Sequence, residues 1–586
     1  MIIKFIVSLY KYIIMNGWNN RILRIDLFKN RIEDSVPEVV LLKNYLGGRG
    51  LGAKIVYDNG QVDALSPDNM LVFAAGPLTG TTTPASGRVS LSTKSPLTGT
   101  IFDSNCGGSF GPELKKAGYD AIIITGKSPD PVFIEIEDER VEIKSAVSLW
   151  GKNVKETTNI LKDSVVCIGR AGEKVVNLAS IISDAVHAFG RGGVGAVMGS
   201  KKLKAIVVKG TGSVDVFDSA EFSKQKKAIN RLLVACPTIS KGLSVFGTPF
   251  LVKITSWMKI LPVANFGSSE SESDFDPKNF FAGTIREKYS PRKKACYSCP
   301  IACKREDKEG NELPEYETIG LMGANIQNTN YEAVVEANRL CNDYGLDTIS
   351  VAGVLGCYSE IRNKCISHVE LQNLTRMIGE RTGIGEKLGC GAKLFSISEG
   401  YPEKSIQVKG LELPAYDPRG VKGLGFSYAT SNRGGCHTRA YLVAPEILRK
   451  PKAIDPYTLA GKAGHTKIFQ DRFAAVDSLV VCKFAFFGAG EEEYANILSA
   501  VTGVDYTSED LMLAGERIWN IERLYNIRAG FSKADDMLPE RFFEDKVNGK
   551  VIDREEFLNT LEEYYCMRGW DDKGVPTKRI LERLEI

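Results

Sequence analysis

The chain lacks most of the features that would set it apart from ordinary globular enzymes. Among its 586 residues neither sign of charge dominates, since 75 Lys and Arg against 72 Asp and Glu leave a net charge of +3. With no basic tract and no aromatic ladder, that balance gives no case for nucleic acid or an acidic surface as partner. Long hydrophobic runs are absent too. Residues 1–14 are apolar, but Lys11 interrupts them, and they fall short of the roughly 20 residues a spanning helix needs. No A-x-A cleavage site follows, so neither a membrane span nor a secretion signal is expected, and 1–14 read as an N-terminal extension. Without a secretion signal, 13 cysteines in a chain of this length are not a disulfide framework but reduced thiols of a cytoplasmic protein. Histidine is scarce, with four residues, and no internal repeat stands out.

Against this background one cysteine-rich segment dominates. Cys296, Cys299 and Cys303 are spaced C-x2-C-x3-C, with Pro291, Lys293, Lys294 and Pro300 nearby. Converging thiolates suit zinc or an iron–sulfur cluster. Structural zinc takes two separated knuckles, and no second knuckle exists here. The order is the reverse of the C-x3-C-x2-C of radical-SAM enzymes. A cubane held by three local thiols and one remote thiol fits best, with zinc and unliganded cysteines as the alternatives. The best remote candidate is Cys482, which ends an apolar run beside Lys483.

The length allows two to four domains, at about 100–200 residues each. Short apolar or β-branched runs at 70–75, 121–125, 132–136 and 205–208 predict strands, and the alternation of Ile22, Arg24 and Asp26 predicts a half-exposed one. Between them lie four glycine-rich loops, 47–52, 79–88, 103–111 and 190–195, each with an Arg, Asn, Ser or Thr. Loops of this composition can cradle phosphates with backbone N–H groups while an Arg neutralises charge. Four of them point to a large ligand with several anionic groups, the alternative being ordinary turns. The 190–195 loop matches G-x-G-x-x-G, yet the preceding residues are too polar for a buried parallel strand and the next helix is cut at Gly199, so a nicotinamide site is disfavoured.

Beyond Val216 the pattern turns helical, at 222–234, at 331–342 with Gly345 as the stop, and from the cap at 347–350 toward Tyr358. The acidic, serine-rich 268–274 reads as a solvated loop. The aromatic stretch 244–266, with Phe246, Phe250, Trp257 and Phe266, reads as core more readily than as the wall of a substrate channel. The whole is an α+β chain, with a β-rich domain at 15–212 and mainly helical domains at 213–418 and 419–586.

Several motifs in a fixed order carry a resemblance. The glycine-rich strand region, C-x2-C-x3-C, Glu-Tyr-Glu-Thr at 315–318, Gly-Leu-Asp-Thr-Ile at 345–349, Arg-Gly-Gly-Cys-His at 433–437 and the final Asp-x4-Cys at 477–482 resemble the tungsten-containing aldehyde:ferredoxin oxidoreductase family from about Met15 onward. The resemblance implies a β-rich base under two helical domains, a tungsten (or molybdenum) ion held by two pterin dithiolenes, and a [4Fe-4S] cluster on Cys296, Cys299, Cys303 and Cys482. It places Arg88 between cluster and pterin, puts Asn105, Gly107, Arg191 and Gly192 in pterin-phosphate loops, and leaves Cys436 a packing thiol. Its two pterin patterns, D-x-x-G-L-D/C, fall on 342–347 and 477–482, so that Asn342, Asp347 and Asp477 are pterin contacts. Both depart from pattern, with Asn342 for Asp and with Val480 and Val481 for Gly-Leu. Arg339 replaces the His of an interface iron motif beginning at Glu336, which removes the case for that iron and leaves homodimerisation open.

The implied chemistry is oxidation of an aldehyde to a carboxylic acid, with electrons leaving for a ferredoxin or an iron–sulfur subunit. Glu317 and His437 match the positions assigned to proton movement, and their types suit it. The alternatives are the catalytic subunit of a carboxylate- or ring-reducing complex of the same fold, and an iron–sulfur relay protein that has lost the pterin.

Overall fold

The computed structural model describes residues 15–269, 272–273 and 275–586. The N-terminal extension, and Glu270, Ser271 and Asp274 of the acidic loop, lie outside these. Residues 22–209 contain two six-stranded sheets. The first contains β1 (Ile22–Asp26), β2 (Arg31–Ser35), β3 (Leu71–Ala74), β4 (Val89–Lys94), β5 (Ile101–Cys106) and β6 (Ala121–Thr125), in the order β2-β1-β6-β3-β4-β5. The second contains β7 (Val132–Glu137), β8 (Arg140–Ser145), β9 (Ser164–Cys167), β10 (Ile181–Ser183), β11 (His187–Phe189) and β12 (Leu203–Lys209), in the order β11-β10-β9-β12-β7-β8.

Strand period explains how the sheets are used. Successive side chains of β6 point to opposite faces. Ile122 and Ile124 join Ile134, Ile136, Val166, Ile206 and Val208 in a core between the sheets, while Ala121 and Ile123 join the larger core shared with the helices. Covered on both faces, β6 has no polar alternation to show.

The 47–52 stretch is not a loop. It opens helix α1 (Gly48–Asp58), and its glycines serve close packing. A Cβ on Gly48 would fall 2.7 Å from Val480 Cγ2 and against the Asp477 carbonyl. Arg49 is fully buried, donating from Nε and Nη2 to Glu522 Oε1 and Oε2, both at 2.7 Å. The 190–195 motif likewise follows the β10–β11 antiparallel hairpin and opens the seven-residue α2 (Val194–Ser200), so no dinucleotide fold forms around it.

The remainder is mainly helical, with two short antiparallel pairs, Arg292–Lys294 with Lys304–Glu306 and Gln407–Val408 with Leu411–Glu412. Segment 244–266 contains α4 (Phe250–Trp257), after α3 (Ser219–Ala235). Further along, the helices that bear on the site are α5 (Tyr316–Met322), α6 (Tyr331–Tyr344), α7 (Thr348–Ile361), α8 (Lys462–Leu479) and α9 (Ser508–Arg528). Gly345, at φ +69°, ends α6, and Asp347 caps α7 by accepting from the N–H groups of Ile349 and Ser350, both at 3.2 Å. Among the described residues no helix is long and apolar enough to cross a membrane.

Candidate functional site

Between the sheets and the helices lies a cavity of about 410 Å³. Of the four glycine-rich segments, three reach it: Ala85, Gly87 and Arg88 from the first, Ser104, Asn105 and Gly107 from the second, Gly190 and Arg191 from the third. The 47–52 segment does not, for the packing reason given above. Cys296, Cys299, Cys303 and Cys482 all line the cavity. A single residue joins the local and remote thiols: the Ala85 N–H donates to the Ser298 carbonyl at 3.0 Å, and its carbonyl accepts from Cys482 N–H at 2.9 Å. Arg88 lies beside them and donates from Nη2 to the Asn105 carbonyl at 2.9 Å and from Nε to Asn105 Oδ1. Gly107 is crowded by the same group, since a Cβ there would stand 2.8 Å from Cys296 Sγ.

Burial pushes the Cys299 thiol up to about 12, and it raises Cys303 and Cys482 as well, with Arg88 opposing the rise at Cys482. Thiols so placed need a cationic centre to become good ligands. Among the described residues no three His, Cys, Asp or Glu side chains are arranged around a single ion. That arrangement is distinct from a cubane, whose four ligands each bind a different corner. A fit to the cluster therefore rests on the shared cavity wall, the Ala85 bridge and the chemistry of four thiols.

At another part of the wall, Glu317 stands in the first turn of α5 and His437 in the 432–439 loop. His437 Nε2 is 3.5 Å from Glu317 Oε1, and both side chains are largely buried. Glu317 Oε2 accepts from the Ala415 N–H at 2.8 Å, whereas its Oε1 and His437 Nδ1 have no hydrogen-bond partner among the described residues. The rings of Tyr416 and Tyr441 flank the imidazole at 5.8 and 6.1 Å. Burial pushes the Glu317 carboxyl up to about 8. Burial, reinforced by Arg191 and Arg433, holds His437 well below its ordinary value. Near neutral pH the pair is thus a carboxylic acid, able to give a proton, beside a neutral imidazole, able to accept a hydrogen bond.

The remaining expected residues divide. Asn342, Asp347 and Asp477 line the cavity. Arg191 lines it too, but its donors are taken by protein: Gly435 O at 2.7 Å, Glu412 O at 2.5 Å and Asp347 Oδ2 at 3.3 Å. It braces the His437 loop against α7. Gly192 does not line the cavity; at φ +85° it turns the chain against the Phe102 ring, where a Cβ would come within 2.5 Å. The Val480 departure sits at φ +57°, a left-handed conformation that a β-branched residue adopts at a cost of about 1–2 kcal/mol. Arg339 holds Glu336 by two hydrogen bonds of 2.6 and 2.9 Å, so that carboxylate is already paired. Of the aromatic stretch, only Thr248 and Leu251 reach the cavity, while Trp257 points to solvent.

Sequence reasoning missed Arg433 and Arg439, two cavity-lining cations that flank Cys436. Burial alone would raise the Cys436 thiol, but Arg433, Arg439 and Arg191 outweigh it and bring it to about 6. The signal was present, since 432–439 has the same mixture of glycine and arginine as the phosphate-type loops. The buried nitrogens Arg433 Nε, Arg439 Nε and Asn105 Nδ2 have no partner among the described residues. Orphaned donors beside so many cations fit a large anionic cofactor, as a bis-pterin with its phosphates would be.

Comparison with known proteins agrees. The family descriptions "Aldehyde ferredoxin oxidoreductase, N-terminal domain" and "Aldehyde ferredoxin oxidoreductase, domains 2 & 3" match residues 22–210 and 224–586. The chain is 41% identical to the tungsten-containing aldehyde ferredoxin oxidoreductase of Pyrococcus furiosus, over 98% of this chain and 99% of that one. It is 40% identical to the protein of the same name from Thermococcus kodakarensis, with the same coverage. Among solved structures it is similar to the active site complex BamBC of benzoyl coenzyme A reductase, with a TM-score of 0.84 and 25% identity over 98% of this chain and 97% of that one.

Proposed function

The chain belongs to the aldehyde ferredoxin oxidoreductase family, and from that premise we propose that it is a tungstopterin enzyme converting R-CHO and water to R-COOH, two electrons and two protons, with ferredoxin as acceptor. When bound, the tungstopterin supplies two-electron chemistry and the [4Fe-4S] cluster one-electron transfer.

The chain's own residues would do the rest. Cys296, Cys299, Cys303 and Cys482 hold the cluster, with Arg88 and Asn105 between it and the pterin. Arg433 and Arg439 face the cofactor's negative charge. The protonated Glu317 donates toward the aldehyde oxygen, neutral His437 orients the water by accepting a hydrogen bond from it, and Tyr416 and Tyr441 fix the imidazole. The domains divide at 212 and 418, which puts the cavity at the junction of all three, and the thirteen free thiols accord with a reducing compartment. With Glu336 paired to Arg339, a dimer through that surface would not need iron.

The observation that carries this reading is the Glu317–His437 pair, held 3.5 Å apart, in one cavity with the four thiols. Glu317→Gln and His437→Ala should each lower kcat by about 10²–10⁴-fold while tungsten and iron per chain stay at the wild-type level. Full turnover in either variant removes that residue from the mechanism.

A further inference from the structure

The first pterin pattern lacks its carboxylate, because Asn342 stands where the pattern has Asp. The structure brings another acid to the same place. Glu312 follows the strand Lys304–Glu306, to which it is bridged at Glu306, and its Oε2 lies 3.4 Å from Asn342 Nδ2. Its other oxygen is paired with Lys304 Nζ, which also donates to the Val186 carbonyl at 2.9 Å. One turn earlier on α6, Asn338 is 5% exposed, and its Nδ2 has no hydrogen-bond partner among the described residues. All three side chains line the cavity.

One carboxylate and two carboxamides therefore face the same stretch of wall, offering adjacent acceptors together with a free donor. Phosphate would be a poor occupant, since it brings no N–H groups for a carboxylate to accept from, and Lys304, the nearby cation, is already engaged. A flat ring with neighbouring N–H donors and a carbonyl acceptor fits, and the aminopyrimidinone edge of a pterin has that arrangement. We infer that Glu312, with Asn338 and Asn342, forms the edge that reads one pterin ring, the acid being supplied from position 312 instead of 342. The inference rests on the tungstopterin reading above.

The test moves the acid between the two positions and reads cofactor content. Pterin would be released, oxidised to its fluorescent form and counted per chain, together with tungsten and iron. Glu312→Gln should lose pterin several-fold or more, as expected when a charge-assisted hydrogen-bonding partner is removed, with iron retained. The double variant Glu312→Gln/Asn342→Asp should recover it, because the carboxylate returns on the other side of the same contact. Wild-type pterin content in Glu312→Gln overturns the inference, and so does a loss that the double variant fails to restore. A wild-type protein without pterin would instead contradict the function proposed above, and the two failures are thereby distinct.

Discussion

At the scale of single residues the account turns on protonation. Glu317 is displaced upward, from 4.5 to about 8, because burial penalises its charge more than the Ala415 N–H and Arg191 favour it. If the neutral acid is the working form, kcat/KM should fall as pH rises through about 8, and that limb should be missing from the residual activity of Glu317→Gln. A profile unchanged by the substitution would place the titration elsewhere. The sign for stability follows from the same shift. The folded chain keeps a proton that the unfolded carboxyl releases, so this group's contribution declines as pH climbs from about 4.5 to 8 and is level beyond. Glu317 and His437 could be named from the sequence because motif order carried them. Their coupling could not, since it depends on α5 and the 432–439 loop meeting across more than a hundred residues. Arg433 and Arg439 were overlooked although they border the named His437. Their importance comes from burial beside Cys436 and Asp103 with one guanidinium nitrogen each, Nε, left over, which no spacing reveals.

At the scale of elements the instructive case is 47–52. Its composition is the same as that of the loops that do reach the cavity, but glycine serves close backbone approach as readily as phosphate binding. The structure shows the former, with α1 pressed on the end of α8 and Arg49 buried against Glu522 of α9. Removing one partner of such a pair strands the other, so Arg49→Met should lower unfolding free energy by about 3–5 kcal/mol in denaturant titrations. Any variant protein that remains folded should keep its pterin; selective loss of pterin with stability intact would restore the phosphate-loop reading. The Cys segment behaves differently. Its spacing was legible as a ligand set, while the Ala85 bridge that carries it to Cys482 was not. Cys482→Ser should cost most of the iron while leaving the helical content seen by circular dichroism unchanged, and undiminished iron would mean another fourth ligand.

At the scale of the whole molecule, the sequence showed a strand-rich first third and helices thereafter, because period and turn chemistry are local signals. How the two sheets stack, and that their loops open under the helices to form one cavity, depends on long-range packing. The cavity draws on the base loops, the Cys segment, α6, the 432–439 loop and the end of α8. That convergence explains how residues scattered from Arg88 to Lys483 can serve one cofactor assembly. The fold is shared with a benzoyl coenzyme A reductase complex, but the higher identity, 41%, is to aldehyde oxidoreductases. The most direct test of the central claim is metal and pterin analysis of protein purified without oxygen from tungstate-supplied cells. The account predicts about one tungsten and about four iron per chain, with pterin present. Iron at that level, with neither tungsten, molybdenum nor pterin, would contradict it, leaving an electron-relay protein in which Glu317 and His437 are ordinary buried residues.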